Sequence, residues 1–294
     1  MFSEVVKKVL AKGKLKQGDI DRLVDRNIHI YTQAFTSAGY DPEFNYEELE
    51  QKGDASANNF LVWYFYNRFP QLNCPAGVAV VARLKIVYAS KNSFQEIAEK
   101  LGFWPYINAT QYERDTKRKS LLEDVFEAFI GATQQILDDD HELGFGFTII
   151  CRILKGIFDE IHISLDYEDL YDAKTRLKEY FDANQNIGKL ESKYDPQTRT
   201  VTLFITEKER PISMPINRLT EFLIKKDGDS SANVSVNQRT GTVTVSFSQS
   251  SGKVIQQLAS ASAPTKAEAE QKASQQALIL LNVQTKKDLS LVCL

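Results

Sequence analysis

Two stretches of the chain stack carboxylates at helical spacing. In NYEELEQKGDA, Glu47, Glu50 and Asp54 stand at i, i+3 and i+7, which at 3.6 residues per turn puts them on one face. In LLEDVFEAFIGA, Asp124 and Glu127 share a face in the same way, while Leu121, Leu122, Val125, Phe126, Phe129 and Ile130 give that helix a core side. Like charges stacked on a helix repel by roughly a few tenths of a kcal/mol per pair. A hard divalent cation relieves that repulsion, because Mg²⁺ takes carboxylate oxygens, water and substrate phosphates as ligands. Gly53 and the pair Gly131–Ala132 lie beside the two stripes, small enough to let the helices approach and bring four acids together. The plain alternative is a solvated acidic face. Paired carboxylates for glycoside hydrolysis are the chemical rival. The helical setting and the crowding of four acids favour metal-assisted phosphoryl chemistry.

The elements that must carry these residues follow from periodicity. Helices are expected over residues 3–12, up to about 38, 46–69, 76–90, 93–101, 115–138 and 146–161, with breaks at Gly18–Asp19, Gly39 and Pro70. Ser93 is the expected N-cap and Gly102 the expected stop of the fifth. This half reads as all-α. Residues 168–183 make one more amphipathic helix with Leu170, Leu177, Tyr180 and Phe181 inward. The period then changes to two at Val201, Leu203 and Ile205, at Val234 and Val236, and at Val243, Val245 and Phe247, with 253–259 a further strand. Thr265 and Glu268 have capping-box spacing, and Ala269, Ala273, Ala277 and Leu281 form a narrow face suited to lying close on a sheet. The fold class is α+β: an all-α domain over 1–165, then an α-β-β-β-α domain over 168–282 with extra material near 207–250, and a tail over 283–294.

Composition narrows the function classes. The 294 residues are 43% hydrophobic and 26% charged, which excludes extended disorder. The net charge of −3 argues against binding nucleic acid by bulk charge alone. No apolar run is long enough to span a bilayer, and the first residues lack the pattern of a secretion signal. Cys74, Cys151 and Cys293 are an odd, dispersed set, so no disulfide framework is expected and a reducing compartment fits.

The segment EELEQKGDA followed by FLVWYFYNRFP resembles the signature helix of the ribonuclease III family, and LLEDVFEAFIGA resembles its second acidic motif. NSFQEIAEKLG matches the helix between them. DAKTRLKEYF and APTKAEAEQKASQQALILL resemble the first and last helices of the double-stranded-RNA-binding domain that follows. The wording is closest to enzymes of large DNA viruses. The resemblance implies that Glu50, Asp54, Asp124 and Glu127 are the four catalytic metal-binding acids and Glu47 an auxiliary one. It implies a Mg²⁺-dependent endoribonuclease, with Mn²⁺ able to substitute. Metal-activated water would cut double-stranded RNA to 5′-phosphate and 3′-hydroxyl ends with short 3′ overhangs. It further implies a homodimer through the nuclease domain, RNA contacts from Thr175, Lys178, Glu179 and Lys266, no membrane association, and a cytoplasmic location (the host cytoplasm for a viral enzyme).

The sequence departs from the family pattern at a few positions. Gln51 and Lys52 replace an apolar pair, the first of which packs at the family's dimer interface. Ala55 stands where a small hydroxyl residue is common. Between Asp54 and Glu96 there is no Asp or Glu, so a further auxiliary acid is missing, and Ala267 follows Lys266 where a second lysine is usual. Two alternatives stay open. One is a catalytically silent protein that sequesters duplex RNA. The other takes residues 216–226 as the first helix of a compact module ending at Asn282.

Overall fold

In a computed structural model of the chain, residues 2–206, 212–215, 232–237, 242–247, 254–283 and 288–292 are described. They fall into two units: Met1–Asp166 with Asp288–Leu294, and Tyr167–Lys287.

The first unit is helical: α1 (Phe2–Leu10), α2 (Gln17–Ala34), α3 (Glu47–Arg68), α4 (Gly77–Tyr88), α5 (Lys91–Leu101), α6 (Gln111–Thr116), α7 (Arg118–Asp140) and α8 (Phe145–Phe158). α7 is its axis. Leu121, Leu122, Val125, Phe126, Phe129 and Ile130 are all buried, and α2, α3, α5 and α8 pack around them. Aromatic rings knit this core, with Phe103 meeting Phe35 and Phe129 at centroid distances of 4.9 and 5.4 Å.

Helix ends follow local chemistry, and several differ from expectation. The break before α2 falls at residues 14–16, where Lys14 is left-handed, so Gly18 and Asp19 sit inside the first turn, and α2 stops at Ala34. Ser90, not Ser93, caps α5, and its hydroxyl accepts the Ser93 N–H. Gly102 does end α5, at φ +79°. The expected 115–138 helix is two, because Thr110 and Glu113 form a full capping box that starts α6 separately. Cys74 is disulfide-bonded while Cys151 is free, which corrects the expectation that the cysteines stay unpaired. Part of the expected tail belongs to this unit: Leu289 is buried, its N–H bonds to Leu165 O, and Asp288 bridges Asp166.

The second unit begins with α9 (Tyr167–Leu170) and α10 (Ala173–Ala183), two helices where periodicity gave one. Asp172 separates them by capping α10 through the Thr175 N–H. Three antiparallel strands follow in the order β1 (Lys189–Asp195), β2 (Thr200–Thr206) and β6 (Val254–Ser262), and α11 (Lys266–Leu280) closes the unit. Val201, Leu203 and Ile205 face Leu177, Phe181, Ala269, Ala273 and Ala277 in one core. The alanines do what their size predicts, letting α11 lie close on the sheet. Between β2 and β6 the chain forms a separate sheet, β3 (Ile212–Pro215), β5 (Thr242–Phe247) and β4 (Ala232–Asn237), in that spatial order. The alternative helix over 216–226 lies outside the described residues. No helix among the described residues is long and apolar enough to cross a membrane.

Candidate active site

The two acidic helices meet backbone to backbone. A Cβ on Gly53 would stand 1.7 Å from the Glu127 carbonyl oxygen, and one on Gly131 would stand 2.0 Å from the Leu49 carbonyl oxygen. Glycine inside a helix costs on the order of 1 kcal/mol against alanine. Here it is what lets α3 and α7 cross without side chains between them. Around the crossing, Ser56 Oγ donates to Gln134 Oε1 at 2.5 Å, and Lys52 Nζ reaches Glu48 Oε1 at 2.5 Å and Gln135 Oε1 at 2.9 Å. Lys52 is therefore held against its own molecule.

Glu50 and Asp54 flank Gly53, and Asp124 and Glu127 lie on α7 before Gly131, so the crossing brings the four into one electrostatic neighbourhood. Burial comes first in raising Glu50, followed by the charges of Asp124, Glu123, Glu47 and Asp54, and its carboxyl is pushed up to about 7. Burial also leads for Glu127, which is 7% exposed; Asp54, Glu123, Glu50 and Asp124 add to it, pushing the carboxyl up to about 9. Asp124 is raised by burial, against the pull of the Tyr46 hydroxyl, Lys91 and Lys117. Groups in this state take up either protons or a cation. The donors are all hard oxygens, which suits Mg²⁺ or Mn²⁺. Among the described residues no three histidine, cysteine or acidic side chains already stand at ligating spacing. The pocket thus has the right donors in an open arrangement.

Three partners of the acids lie outside the sequence pattern. The Tyr46 hydroxyl donates to Asp124 Oδ2 at 2.8 Å. Asn58 Nδ2 donates to Asp54 Oδ1 at 2.6 Å. Glu123 sits beside the pocket, paired with Lys91 at 2.6 Å. Tyr46 and Glu123 adjoin the motifs and were open to view, but neither has a spacing that singles it out. Lys91 gave no signal, because only the packing of α5 on α7 brings it near. Tyr46 is set by the loop before it: its N–H bonds to Thr36 O, and Ser37 donates to the buried Glu113 carboxylate at 3.0 Å. Burial would raise Glu113, but the hydroxyl and amide of Thr110, with the Ser37 hydroxyl, outweigh it and lower its pKa.

In the second unit the expected RNA contacts have other partners. The Thr175 hydroxyl donates to Asp172 Oδ2 at 2.8 Å, and Glu179 accepts the Tyr167 hydroxyl. Lys178 lines a cleft of about 470 Å³ with Lys174, Phe181 and Leu190. Lys266 lies 5.8 Å above the Tyr194 ring and 3.9 Å from Glu270 Oε1.

Helices crossing at paired glycines under a shared acid pocket define a metal-dependent nuclease architecture. The family model for the ribonuclease III domain matches residues 47–134, which span both acidic helices. A ribonuclease 3-type protein of Invertebrate iridescent virus 6 is 44% identical over 198 residues, 63% of this chain and 68% of that one. A second, from Frog virus 3 (isolate Goorha), is 44% identical over 206 residues, 69% of this chain and 54% of its own length. The crystal structure of the ribonuclease III nuclease domain from Campylobacter jejuni aligns with 49% of this chain and 98% of its own, at 24% identity and a TM-score of 0.39. The chain belongs to the ribonuclease III family of endoribonucleases.

Proposed function

We propose that the chain is a Mg²⁺-dependent endoribonuclease that cuts double-stranded RNA, leaving 5′-phosphate and 3′-hydroxyl ends with short 3′ overhangs. The observation that carries this reading is the glycine crossing of α3 and α7, which gathers acids from two distant segments. Glu50, Asp54, Asp124 and Glu127 would hold the metal, with Glu47 as an auxiliary acid; Mn²⁺ could serve in place of Mg²⁺. When bound, the metal supplies Lewis-acid activation of water and neutralises charge at the phosphodiester. The chain's own groups do the positioning. The Tyr46 hydroxyl keeps one Asp124 oxygen oriented, and Asn58 does the same for Asp54. Burial of Glu127 keeps its carboxylate poorly hydrated and therefore ready to exchange its proton for a cation.

Residues 167–287 are read as a double-stranded-RNA-binding domain. Its α-β-β-β-α order, with β3, β4 and β5 as an insertion, supports this reading. Such domains read A-form shape across the minor groove and the flanking phosphates. Thr175, Lys178, Glu179 and Lys266 are the proposed contacts. For Thr175 and Glu179, RNA would have to exchange with Asp172 and Tyr167. A homodimer through the helical unit is supported by adjoining helices α3 and α4, which expose Val62 and Trp63, and Val78 and Ile86, respectively. A reducing, cytoplasmic setting remains the proposed location.

The test is incubation of long duplex RNA with the protein in Mg²⁺ and, separately, in EDTA. Cleavage only in Mg²⁺, lost in Glu127→Gln while a gel shift persists, supports the enzyme reading. Intact but shifted duplex in Mg²⁺ would make the chain a silent duplex-binding protein instead.

A further inference from the structure

Beside the four acids stands a carboxylate that the spacing pattern does not assign. Glu123 precedes Glu127 by one helical turn, so both leave α7 on one face. Its side chain is 16% exposed, and its Oε2 atom is buried with no hydrogen bond of good geometry. What faces that oxygen is the Lys91 ammonium, 2.6 Å away, which also donates to Ser120 Oγ at 3.2 Å. The charge of Glu123 is felt at both Glu50 and Glu127, and the charge of Lys91 at both Asp124 and Glu127. The pair is thus part of the pocket's field and not a remote surface bridge.

A half-exposed ion pair is worth little on its own. A buried carboxylate oxygen without a hydrogen bond, by contrast, is costly to leave so. This combination makes a partner that can be exchanged. The segment between Asp54 and Glu96 carries no acid, so any further carboxylate for the pocket must come from elsewhere. We propose that Glu123 is an auxiliary acid of the metal pocket and that Lys91 is its counter-ion when no metal is bound, so that Mg²⁺ and the Lys91 ammonium compete for one carboxylate. This rests on reading the pocket as a Mg²⁺ site.

Calorimetric titration of Mg²⁺ into the RNA-free full chain tests it. Glu123→Gln weakens Mg²⁺ binding about tenfold, the scale of losing a supporting group at a metal site. Lys91→Met tightens it about fivefold, the effect of a unit charge at roughly 4 Å under water-like screening. In a Glu123→Gln background the Lys91→Met gain shrinks, because no carboxylate remains to be released. Glu123→Asp, which keeps the charge, recovers part of the lost affinity. A pair that merely ties α5 to α7 lowers the melting temperature in both single variants and leaves Mg²⁺ affinity unchanged; that result overturns the proposal alone. Absence of Mg²⁺ binding by the unaltered chain overturns it together with the pocket reading.

Discussion

Glu127 and Glu50 hold protons far above the ordinary carboxylate value of 4.5, at about 9 and about 7. A raised acid binds protons in the fold that the unfolded chain has released, so metal-free stability is greatest near pH 4.5 and falls as pH rises toward 9. Thermal melts in EDTA should show this decline between pH 5 and 9. Added Mg²⁺ should stabilise more strongly at the alkaline end, where it no longer competes with protons. A flat profile in EDTA would mean that the acids do not share one pocket. Tyr46→Phe removes a hydrogen bond to a charged group, a loss of about 1.5–3 kcal/mol; the expected outcome is slower cleavage with the fold intact by circular dichroism. The four acids were legible from spacing and small neighbours. Tyr46, Asn58 and Lys91 were not, because a hydroxyl, amide or ammonium becomes meaningful only when folding supplies its partner.

At the scale of elements, the crossing of α3 and α7 depends on what Gly53 and Gly131 lack. Gly53→Ala and Gly131→Ala should each destabilise beyond the usual 0.5–3 kcal/mol of single substitutions, because the obstacle is backbone and cannot rotate away. Gly18→Ala is the comparison: nothing lies within 4 Å, and the position is in the first turn of α2, so stability should hold or rise by about 0.4–1 kcal/mol. Melting temperatures of the three variants decide the matter. Helix existence was well marked in the sequence by periodicity, and Gly102 by its stop signal. Boundaries were less so. Ser90 and Ser93 are equally good caps on paper, and only the serine preceding the first turn can accept the amide three residues on. The split at Asp172 was hidden because residues 168–183 keep one apolar period across it.

At the scale of the whole molecule, Trp63 and Ile86 are 50% and 58% exposed on α3 and α4. If those helices bury each other's faces in a homodimer, Trp63→Glu should shift sedimentation toward the monomer and reduce double-strand cutting while leaving the acid pocket intact. Duplex binding should also fall steeply with salt, since phosphate contacts release counterions. The change of period near residue 185 announced the move from helices to sheet. The return of residues 288–292 to the first unit had no such signal, because a single buried leucine carries no pattern.

The inserted sheet has a practical consequence. Thr206 and Val254, the residues on either side of it, are cross-strand partners in the β2–β6 ladder, so whatever is spliced between them starts and finishes at one place. Closing a loop there grows costlier only with the logarithm of its length. The site is a natural port for cargo: a fluorescent or affinity module could replace residues 207–253 while the ladder beneath keeps its stitches.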